Sequence, residues 1–183
     1  MGWRCGIGWT AKGAFMRKLL LASLSAGLVG VTAITASAAF SSRDRDFVLK
    51  ATSSGLAAVA AAQLAQQRSA SPQVRQFADR VIADHTQANS VLQDIAGEED
   101  ITLPSQPAGK DAAVVQRLRG LNGDAFDRAY AQDQLSNHEQ DIALFRREAN
   151  SGQDPELKAF AQKTLPILQQ HLQLAQILSN TLR

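Results

Sequence analysis

Three histidines are the side chains of this sequence best suited to chemistry: His85, His138 and His171, its full complement. Each falls in an apolar stripe with helical spacing, and the three stripes belong to three different predicted helices. The flanking apolar residues are Val81 and Ala88, Leu135 and Ile142, and Ile167 and Leu174. Because neutral imidazoles bind Zn, Cu, Fe and Ni, convergence of these rings predicts a transition-metal site.

The three histidines lie at similar depths in their helices. From the rise of an α-helix, His85 is about 20 Å from a helix start at Pro72, and His171 is about 24 Å from one at Pro155. His138 is about 18 Å from a helix end at Asn150 by the same rise. Each is therefore near the middle of a bundle, where the rings can meet within a turn or two.

Neighbouring polar side chains can orient such rings or add ligands. The candidates for orientation are Asp84, Asp127 and Tyr130, and the same helices also carry Asp133, Glu139 and Asp141. The alternative is structural: buried histidines that hydrogen-bond to acids or to Tyr130 and hold the helices together, since buried polar groups need partners. Both interpretations remain open at this point.

The residues around the histidines exclude the usual two-metal site of helical bundles. That site needs a Glu three residues before a His on two helices, and a Glu on each of the other two. Here those preceding positions hold Ile82, Leu135 and Leu168, and the first helix has no acid from Phe47 through Gln67. A carboxylate-bridged pair of ions is therefore not expected.

Motifs of other enzyme classes are missing from the sequence. It has no Gly-rich phosphate loop after a strand, no G-x-S-x-G and no H-E-x-x-H. We predict no catalytic residue and assign no cofactor-binding residue. The cofactor stays unknown, with a transition-metal ion as the candidate, and we regard the protein as more suited to binding than to catalysis.

The amino-terminal region is typical of an export signal. Arg17 and Lys18 precede an uncharged, mostly apolar run, and Ala36-Ser37-Ala38 has the pattern of a cleavage site. We expect translation to start at Met16, with residues 1–15 an upstream extension, and cleavage after Ala38. The alternative is an uncleaved anchor, because the uncharged run is long enough to cross a bilayer at about 20 residues.

Removal of residues 1–38 changes the charge of the protein. Four basic residues and no acid leave with that segment, so 15 basic and 17 acidic side chains remain, a formal charge of −2. The overall basic character is a property of the leader, which argues against nucleic acid as a partner. Cys5 also leaves, so disulfides and thiolate sites are excluded for residues 39–183.

Residues 39–183 have the pattern of a single all-α domain. Start and stop signals predict four long helices, over 43–67, 72–96, 124–150 and 155–180, and a short one over 110–119. We place Gly97 just past the end of the second helix. Pro166 lies inside the last helix and should kink it.

The second and last helices begin alike. "SPQVRQFADR" at 71–80 and "DPELKAFAQK" at 154–163 share a cap, a proline and a Phe-Ala pair. This similarity predicts two related helical hairpins that pack as a four-helix bundle. The alternative is that the two stretches share only favourable helix-start chemistry. The connection over 97–123 can either cross the length of the bundle or fold locally at one end.

These segments resemble a family of exported bacterial proteins, domain of unknown function 4142, also labelled predicted outer membrane proteins. The resemblance covers about residues 44–179 and rests on 71–89, 118–145 and 154–175, including "VIADHTQAN" and "LSNHEQDIALF". It implies a ferritin-like bundle and export, and no established reaction. The recurrent family positions are His85, Phe126, Asp127, Tyr130, His138, Pro166 and His171.

The sequence departs from the family pattern in the first helix. Family members carry glutamate after a Ser/Gly pair, whereas Ala58 and Ala60 stand there in this chain. The resemblance therefore does not extend to the carboxylate ligands of a ferritin-like metal centre.

Together these features predict an exported protein, periplasmic or associated with the cell envelope. Its expected role is non-enzymatic binding or envelope maintenance, including stress-related functions. The alternative is a metal-binding or redox bundle that uses His85, His138 and His171. Contact with a membrane is expected only through the leader, if that segment stays attached.

Overall fold

The computed structural model describes residues 40–182, in which every regular element is an α-helix. The helices are α1 (Ser42–Arg68), α2 (Pro72–Glu98), α3 (Gly109–Arg119), α4 (Gly123–Ser151) and α5 (Pro155–Thr181). The predicted all-α class is confirmed, and each predicted helix end lies within two residues of the observed one. The expected start at Met16 and cleavage after Ala38 concern residues outside the described part.

Local sequence chemistry sets the helix starts. Ser41 forms a capping box with Asp44 at the start of α1, which satisfies backbone donors that a helix start leaves free. Ser71 and Asp154 cap α2 and α5, and each is followed by a proline at the first helical position. A proline costs little there, because its missing N–H would have had no partner.

The end of α2 differs from the prediction. Gly97 lies inside the helix, and the left-handed position is taken by Asp100, with φ of +53°. The N–H of Ile101 donates to the carbonyl of Ala96, and the N–H of Asp100 donates to that of Gly97. This is a Schellman motif, and the apolar Ile101 after it packs against the core, which moves the end of the helix beyond the glycine.

The connection between α2 and α4 crosses the length of the bundle. Arg43 at the start of α1 donates to the carbonyl of Ser151 at the end of α4, so these two ends lie together. At the opposite end, Arg68 donates to the carbonyl of Leu121, just before α4. Because α2 returns alongside α1, it ends at one end of the bundle while α4 starts at the other. Of the two alternatives for 97–123, the crossover is therefore the observed one.

The four long helices pack in the order α1, α2, α5, α4 around a shared interior, and α3 lies against α1 and α4. The hairpin of α1 with α2 runs opposite to that of α4 with α5, as a twofold relation between them requires. Among these neighbouring pairs, α2 and α5 pack least closely. This looser packing leaves a gap between α2 and α5.

The interior contains two apolar clusters. The phenylalanine cluster is built around Phe47, Phe145 and Phe160. The alanine-rich cluster combines small residues of α1 with Phe77, Phe126 and Tyr130. Four alanines of α1, at positions 58, 61, 62 and 65, belong to it. Their small side chains let α1 approach α2 closely.

By length and composition α1 could cross a membrane, with a mean hydropathy of 1.3 over its most apolar window. In the structure 61% of that window is buried against the other helices. This burial accounts for its apolar character as the core helix of the bundle.

Pro166 lies within α5, which continues as a helix on both sides of it. Two residues earlier, the hydroxyl of Thr164 donates to the carbonyl of Phe160 at 2.8 Å. The kink expected at this proline stays a prediction.

Candidate metal centre

The three histidines come from α2, α4 and α5 and meet in the interior of the bundle. His85, His138 and His171 are 6%, 0% and 1% exposed, so all three rings are removed from solvent. One nitrogen from each ring can be chosen so that the three lie within 4.8 Å of one another. The structure thus brings together the residues that their shared depth and apolar stripes had selected.

The imidazole rings form a compact trio. Their centroids are separated by 5.5 Å for His85 and His138, 5.5 Å for His85 and His171, and 5.2 Å for His138 and His171. Phe77 of α2 lies against two of them, with centroid distances of 6.4 Å to His138 and 6.0 Å to His171. This ring closes the trio on the side of the alanine-rich cluster.

The backbone fixes the proton of His138. Its Nδ1 lies 2.8 Å from the carbonyl oxygen of Gln134, which can only accept a hydrogen bond. Nδ1 therefore carries the proton and donates it, and in the neutral ring Nε2 has a free lone pair. That lone pair faces Nδ1 of His171 at 3.3 Å.

His171 faces two acceptors. Its Nε2 lies 2.8 Å from Oδ2 of Asp84, and its Nδ1 faces the bare Nε2 of His138. A neutral imidazole has one proton, so it can satisfy only one of the two. If the proton points to Asp84, two lone pairs face each other between the rings. A cation bound between those nitrogens removes this conflict.

The Nε2 nitrogen of His85 is buried and has no hydrogen-bond partner among the described residues. A buried polar atom left in this way costs about 1–3 kcal/mol. Bound to an ion, the same nitrogen would instead contribute to stability.

All three rings are held in the neutral form that binds metals. Burial lowers the pKa of His85 well below its usual value, and the neighbouring His138 and His171 lower it further. Burial also lowers the pKa of His138, to about 4, against the opposing effect of the Gln134 carbonyl. The pKa of His171 is lowered by burial too, although Asp84 opposes that shift. Near neutral pH each of the three rings is therefore uncharged, with one nitrogen whose lone pair carries no proton.

The spacing suits one small ion. Nitrogens bound to a tetrahedral ion at about 2.0–2.1 Å lie about 3.3 Å apart. The separation of His138 Nε2 and His171 Nδ1 is 3.3 Å, so this pair already has that geometry. The three chosen nitrogens all lie within 4.8 Å of one another, so a tetrahedral ion bound by all three would require the wider separations to shorten. With an ion bound, Asp84 would orient His171 and the Gln134 carbonyl would orient His138, as the partners of metal-bound imidazoles commonly do.

A cavity of about 330 Å³ adjoins the trio, in the gap between α2 and α5. His85 and His171 line it, together with Asp84, whereas His138 does not. Its walls are mainly apolar and include Phe145 and Phe160 of the phenylalanine cluster. An ion held by the three rings would be accessible from this side, past His85 and His171.

Of the three side chains proposed to orient the rings, Asp84 alone contacts one of them. Asp127 lies 11 residues before His138 on α4, about 16 Å along the helix axis, and it accepts a hydrogen bond from the N–H of Ser71. Tyr130 stacks against Phe126, with 5.8 Å between ring centroids. Helical spacing puts both on the face of His138 but too far along the helix to reach its ring.

The other acids named from the sequence have different surroundings. Asp133 pairs with Arg117 of α3, and Glu139 is exposed. Asp141 is buried and accepts from the hydroxyl of Ser54, and burial raises the pKa of its carboxyl to about 7. Among the described residues, none of these three acids forms a hydrogen bond to His85, His138 or His171.

Two contributors to the centre were not predicted. The Gln134 carbonyl is a backbone atom, so its side chain gives no signal, although its position four residues before His138 is where a helical carbonyl meets a following side chain. The sequence signal at Phe77 is its correspondence with Phe160 in the two similar helix starts. Its place eight residues before His85, on the same face of α2, could have indicated contact with the rings.

The fold has a counterpart among solved structures. The crystal structure of a DUF305 fragment from Deinococcus radiodurans superposes with a TM-score of 0.68 at 14% sequence identity, covering 78% of this chain and 99% of that one. At this identity the likeness concerns the fold alone. No curated protein matches the chain. The model of one family, Domain of unknown function (DUF4142), matches residues 29–178, and the protein with the three-histidine centre belongs to that family.

Proposed function

We propose that this protein is an exported, non-enzymatic binding protein that holds one transition-metal ion through His85, His138 and His171. The observation that supports this most strongly is that three buried imidazole rings converge while Nε2 of His85 has no hydrogen-bond partner among the described residues. Three neutral, buried imidazoles supply more lone pairs than the surrounding hydrogen bonds use. Three histidines that only held helices together would have paired every nitrogen, since an unpaired buried group is costly.

The ligand set selects a class of ions. Imidazole nitrogens suit Zn²⁺, Cu²⁺ and Ni²⁺, whereas Mg²⁺ and Ca²⁺ need several oxygen ligands. Affinity in such a site generally rises through the late first-row metals to Cu²⁺ and then falls for Zn²⁺. We therefore expect Cu²⁺ or Zn²⁺ to bind most tightly.

A single ion fits better than a pair. Helix α1 brings alanines toward the interior at positions 58, 61, 62 and 65, and these offer no ligand atom. The carboxylate bridge that joins two ions has no source there. The expected stoichiometry is therefore one ion per chain.

Export is proposed from the leader. The basic pair Arg17 and Lys18, the apolar run and the Ala-Ser-Ala sequence ending at Ala38 are typical of a signal peptide. Expression of the full sequence in a bacterial host, followed by fractionation and mass measurement, tests this. We expect a periplasmic species beginning at Ala39, and a cytoplasmic species that retains Met16 would contradict export.

Metal binding is tested on protein purified from that expression. Elemental analysis and competition titration with Zn²⁺ and Cu²⁺ should give one ion per chain. A triple variant with alanine at His85, His138 and His171 should retain none above background. The matched control carries alanine at three exposed glutamines of the same helices, namely Gln93, Gln132 and Gln170.

The comparison of the two triple variants decides the proposal. If the control binds like the unchanged protein and the histidine variant does not, the histidines hold the ion. If the unchanged protein and the histidine variant bind equally, or if neither binds, the proposed function is wrong. Circular dichroism of both variants establishes that the helices are intact.

A further inference from the structure

The cavity between α2 and α5 adjoins the histidine centre. His85 and His171 border it directly, whereas His138 and Phe77 do not line it. His85, whose buried Nε2 has no partner among the described residues, therefore borders a space that a ligand can enter.

The shape of the cavity indicates an elongated ligand. It is lined on α2 from Asp84 to Ile95, a span of about 16 Å along the helix axis. Its volume of about 330 Å³ is within the range of small-molecule sites, about 300–1,000 Å³. A ligand in it would lie parallel to the two helices.

The two ends of the cavity differ in chemistry. At one end are the polar side chains Asp84, His85 and His171. Toward the other end Leu92 and Ile95 of α2 face Phe160 of α5. The charged side chains there, Glu156 and Lys163, are exposed. A ligand that matches both ends has a polar head and an apolar tail.

Charge specifies the head. Three neutral imidazoles leave the double positive charge of a bound ion uncompensated, and Asp84, the carboxylate hydrogen-bonded to His171, offsets one unit. Asp141, a buried carboxyl that also lines the cavity, accepts from the Ser54 hydroxyl, and burial raises its pKa to about 7. With Asp141 protonated, one positive charge remains at the head of the cavity. A donor with a single negative charge complements it, since buried charge is costly unless it is paired.

We propose that the cavity binds a small amphiphilic monoanion, of the medium-chain carboxylate class, whose head occupies the open coordination position of the ion and whose tail lies between α2 and α5. This inference rests on the proposed metal function and assigns the ligand of that same centre. The apolar tail supplies affinity through burial, and the carboxylate supplies the direction in which the molecule lies.

The test uses Co²⁺ as a coloured probe ion and decanoate as the probe ligand. The chain purified from expression of the full sequence is loaded with Co²⁺, and decanoate is added while the visible absorption of the ion is recorded. We expect a saturable change in the absorption bands, and calorimetric binding at least about tenfold tighter than to metal-free protein.

Two further probes separate the head from the tail. Acetate has the head without the tail, and decyltrimethylammonium has the tail with a cationic head. We expect both to bind at least about tenfold more weakly than decanoate. Equal binding of acetate would show that the tail is not held, and equal binding of decyltrimethylammonium would show that the carboxylate is not recognised. Either result overturns the inference.

Variants place the ligand in the cavity. Ala88→Phe fills part of the cavity wall and should remove decanoate binding while Co²⁺ binding persists. Ala129→Phe is the matched control, at a partly buried position that packs on the alanine-rich cluster outside the cavity. Ala159→Trp narrows the opening from an exposed position on α5, so it tests access even if Ala88→Phe disturbs folding.

The outcomes distinguish this inference from the proposed function. Bound Co²⁺ with no response to decanoate overturns the cavity ligand and leaves metal binding intact. Equal decanoate binding with and without Co²⁺ shows that the head does not reach the ion, and again only this inference is wrong. Failure of Co²⁺ itself to bind overturns both.

Discussion

Two trios of aromatic rings occupy the interior of the same bundle. Phe47, Phe145 and Phe160 have centroid separations of 5.1, 6.5 and 5.8 Å. The three histidine rings are separated by 5.5, 5.5 and 5.2 Å. In size, spacing and largely edge-to-face contact the two trios are alike, and both are buried.

The two trios differ in whether their ring edges carry atoms that need hydrogen-bond partners. The edge of a phenylalanine ring has no hydrogen-bonding atom, so packing alone completes that cluster. The histidine trio has six ring nitrogens, and the buried Nε2 of His85 has no partner among the described residues. Similar packing therefore serves stability at one place and leaves an unpaired, buried nitrogen at the other.

The largest expected effect is on metal binding. His138→Ala removes the ring whose Nε2 faces His171, and we expect affinity for Zn²⁺ to fall by more than the 10–100-fold typical of losing a side chain that orients a ligand. Competition titration measures this. The free energy of unfolding in EDTA should also fall, because the fully buried ring leaves a cavity, so metal affinity is the measurement that distinguishes this variant from Phe145→Ala. Unchanged Zn²⁺ affinity in His138→Ala would remove the distinction between the trios.

Phe145→Ala tests the other side of the comparison. Phe145 is 5% exposed and contacts both other rings of its trio, so its truncation should lower the free energy of unfolding by about 3–5 kcal/mol. Urea denaturation in EDTA measures this loss. The number of ions bound per chain should remain unchanged, because Phe145 supplies no ligand.

Asp84→Asn separates orientation from ligation. The amide keeps the size of the side chain but loses the charge that accepts the proton of His171. We expect Zn²⁺ affinity to fall about 10–100-fold while the stoichiometry stays at one ion. Asp79→Asn, at an exposed acid on the same helix, is the control and should have no effect. Complete loss of binding in Asp84→Asn would mean that the carboxylate is itself a ligand.

A buried carboxyl near the phenylalanine cluster meets its requirement in a different way. Glu148 is 2% exposed and lies beside Asp44 and Gly152, so close that any side chain at position 152 would collide with it. Burial, together with the neighbouring charge of Asp44, raises the pKa of Glu148 from 4.5 to about 7. In the protonated form it can donate a hydrogen bond to Asp44.

This carboxyl should make stability depend on pH. The folded state holds the proton more tightly than the unfolded chain, so the contribution is present below pH 4.5 and is lost as the pH rises through about 7. Glu148→Gln keeps a donor without the charge and should be more stable than the unchanged protein at pH 8, by about 2 kcal/mol. Urea denaturation at pH 5 and pH 8 measures this. Asp141 titrates in the same direction, so the variant should retain part of the dependence, and an unchanged difference between the two pH values would rule out Glu148 as a source.

The smallest expected effect is that of replacing one histidine ring by phenylalanine, the ring type of the other trio. His85→Phe removes the unpartnered nitrogen, and the larger ring can extend into the adjoining cavity. We expect metal-free protein to become more stable by about 1 kcal/mol, because an unsatisfied buried polar atom disappears. Thermal unfolding in EDTA measures it. Destabilisation would show that His85 has a structural role without metal.

Features that depend on a single helix are predictable from the sequence. The helix starts follow from the capping residues and prolines at Ser71-Pro72 and Asp154-Pro155, and the inward faces of the three histidines follow from the apolar stripes. Features that depend on contacts between helices are not predictable in this way. Asp100 ends α2 because Ile101 packs on a distant core, and Asp127 lies on the right face at the wrong height. The gap between α2 and α5 depends on how whole helices approach each other, which no local pattern encodes.

The crossing connection between α2 and α4 gives the centre a further property. His85 belongs to the first hairpin, while His138 and His171 belong to the second, and roughly 50 residues of chain separate His85 from His138. An ion bound by all three would act as a clasp that closes this long loop, which favours the folded state by restricting the unfolded one. Because α2 and α5 pack least closely among the neighbouring long helices, we expect such an ion to contribute most to stability along that side of the bundle.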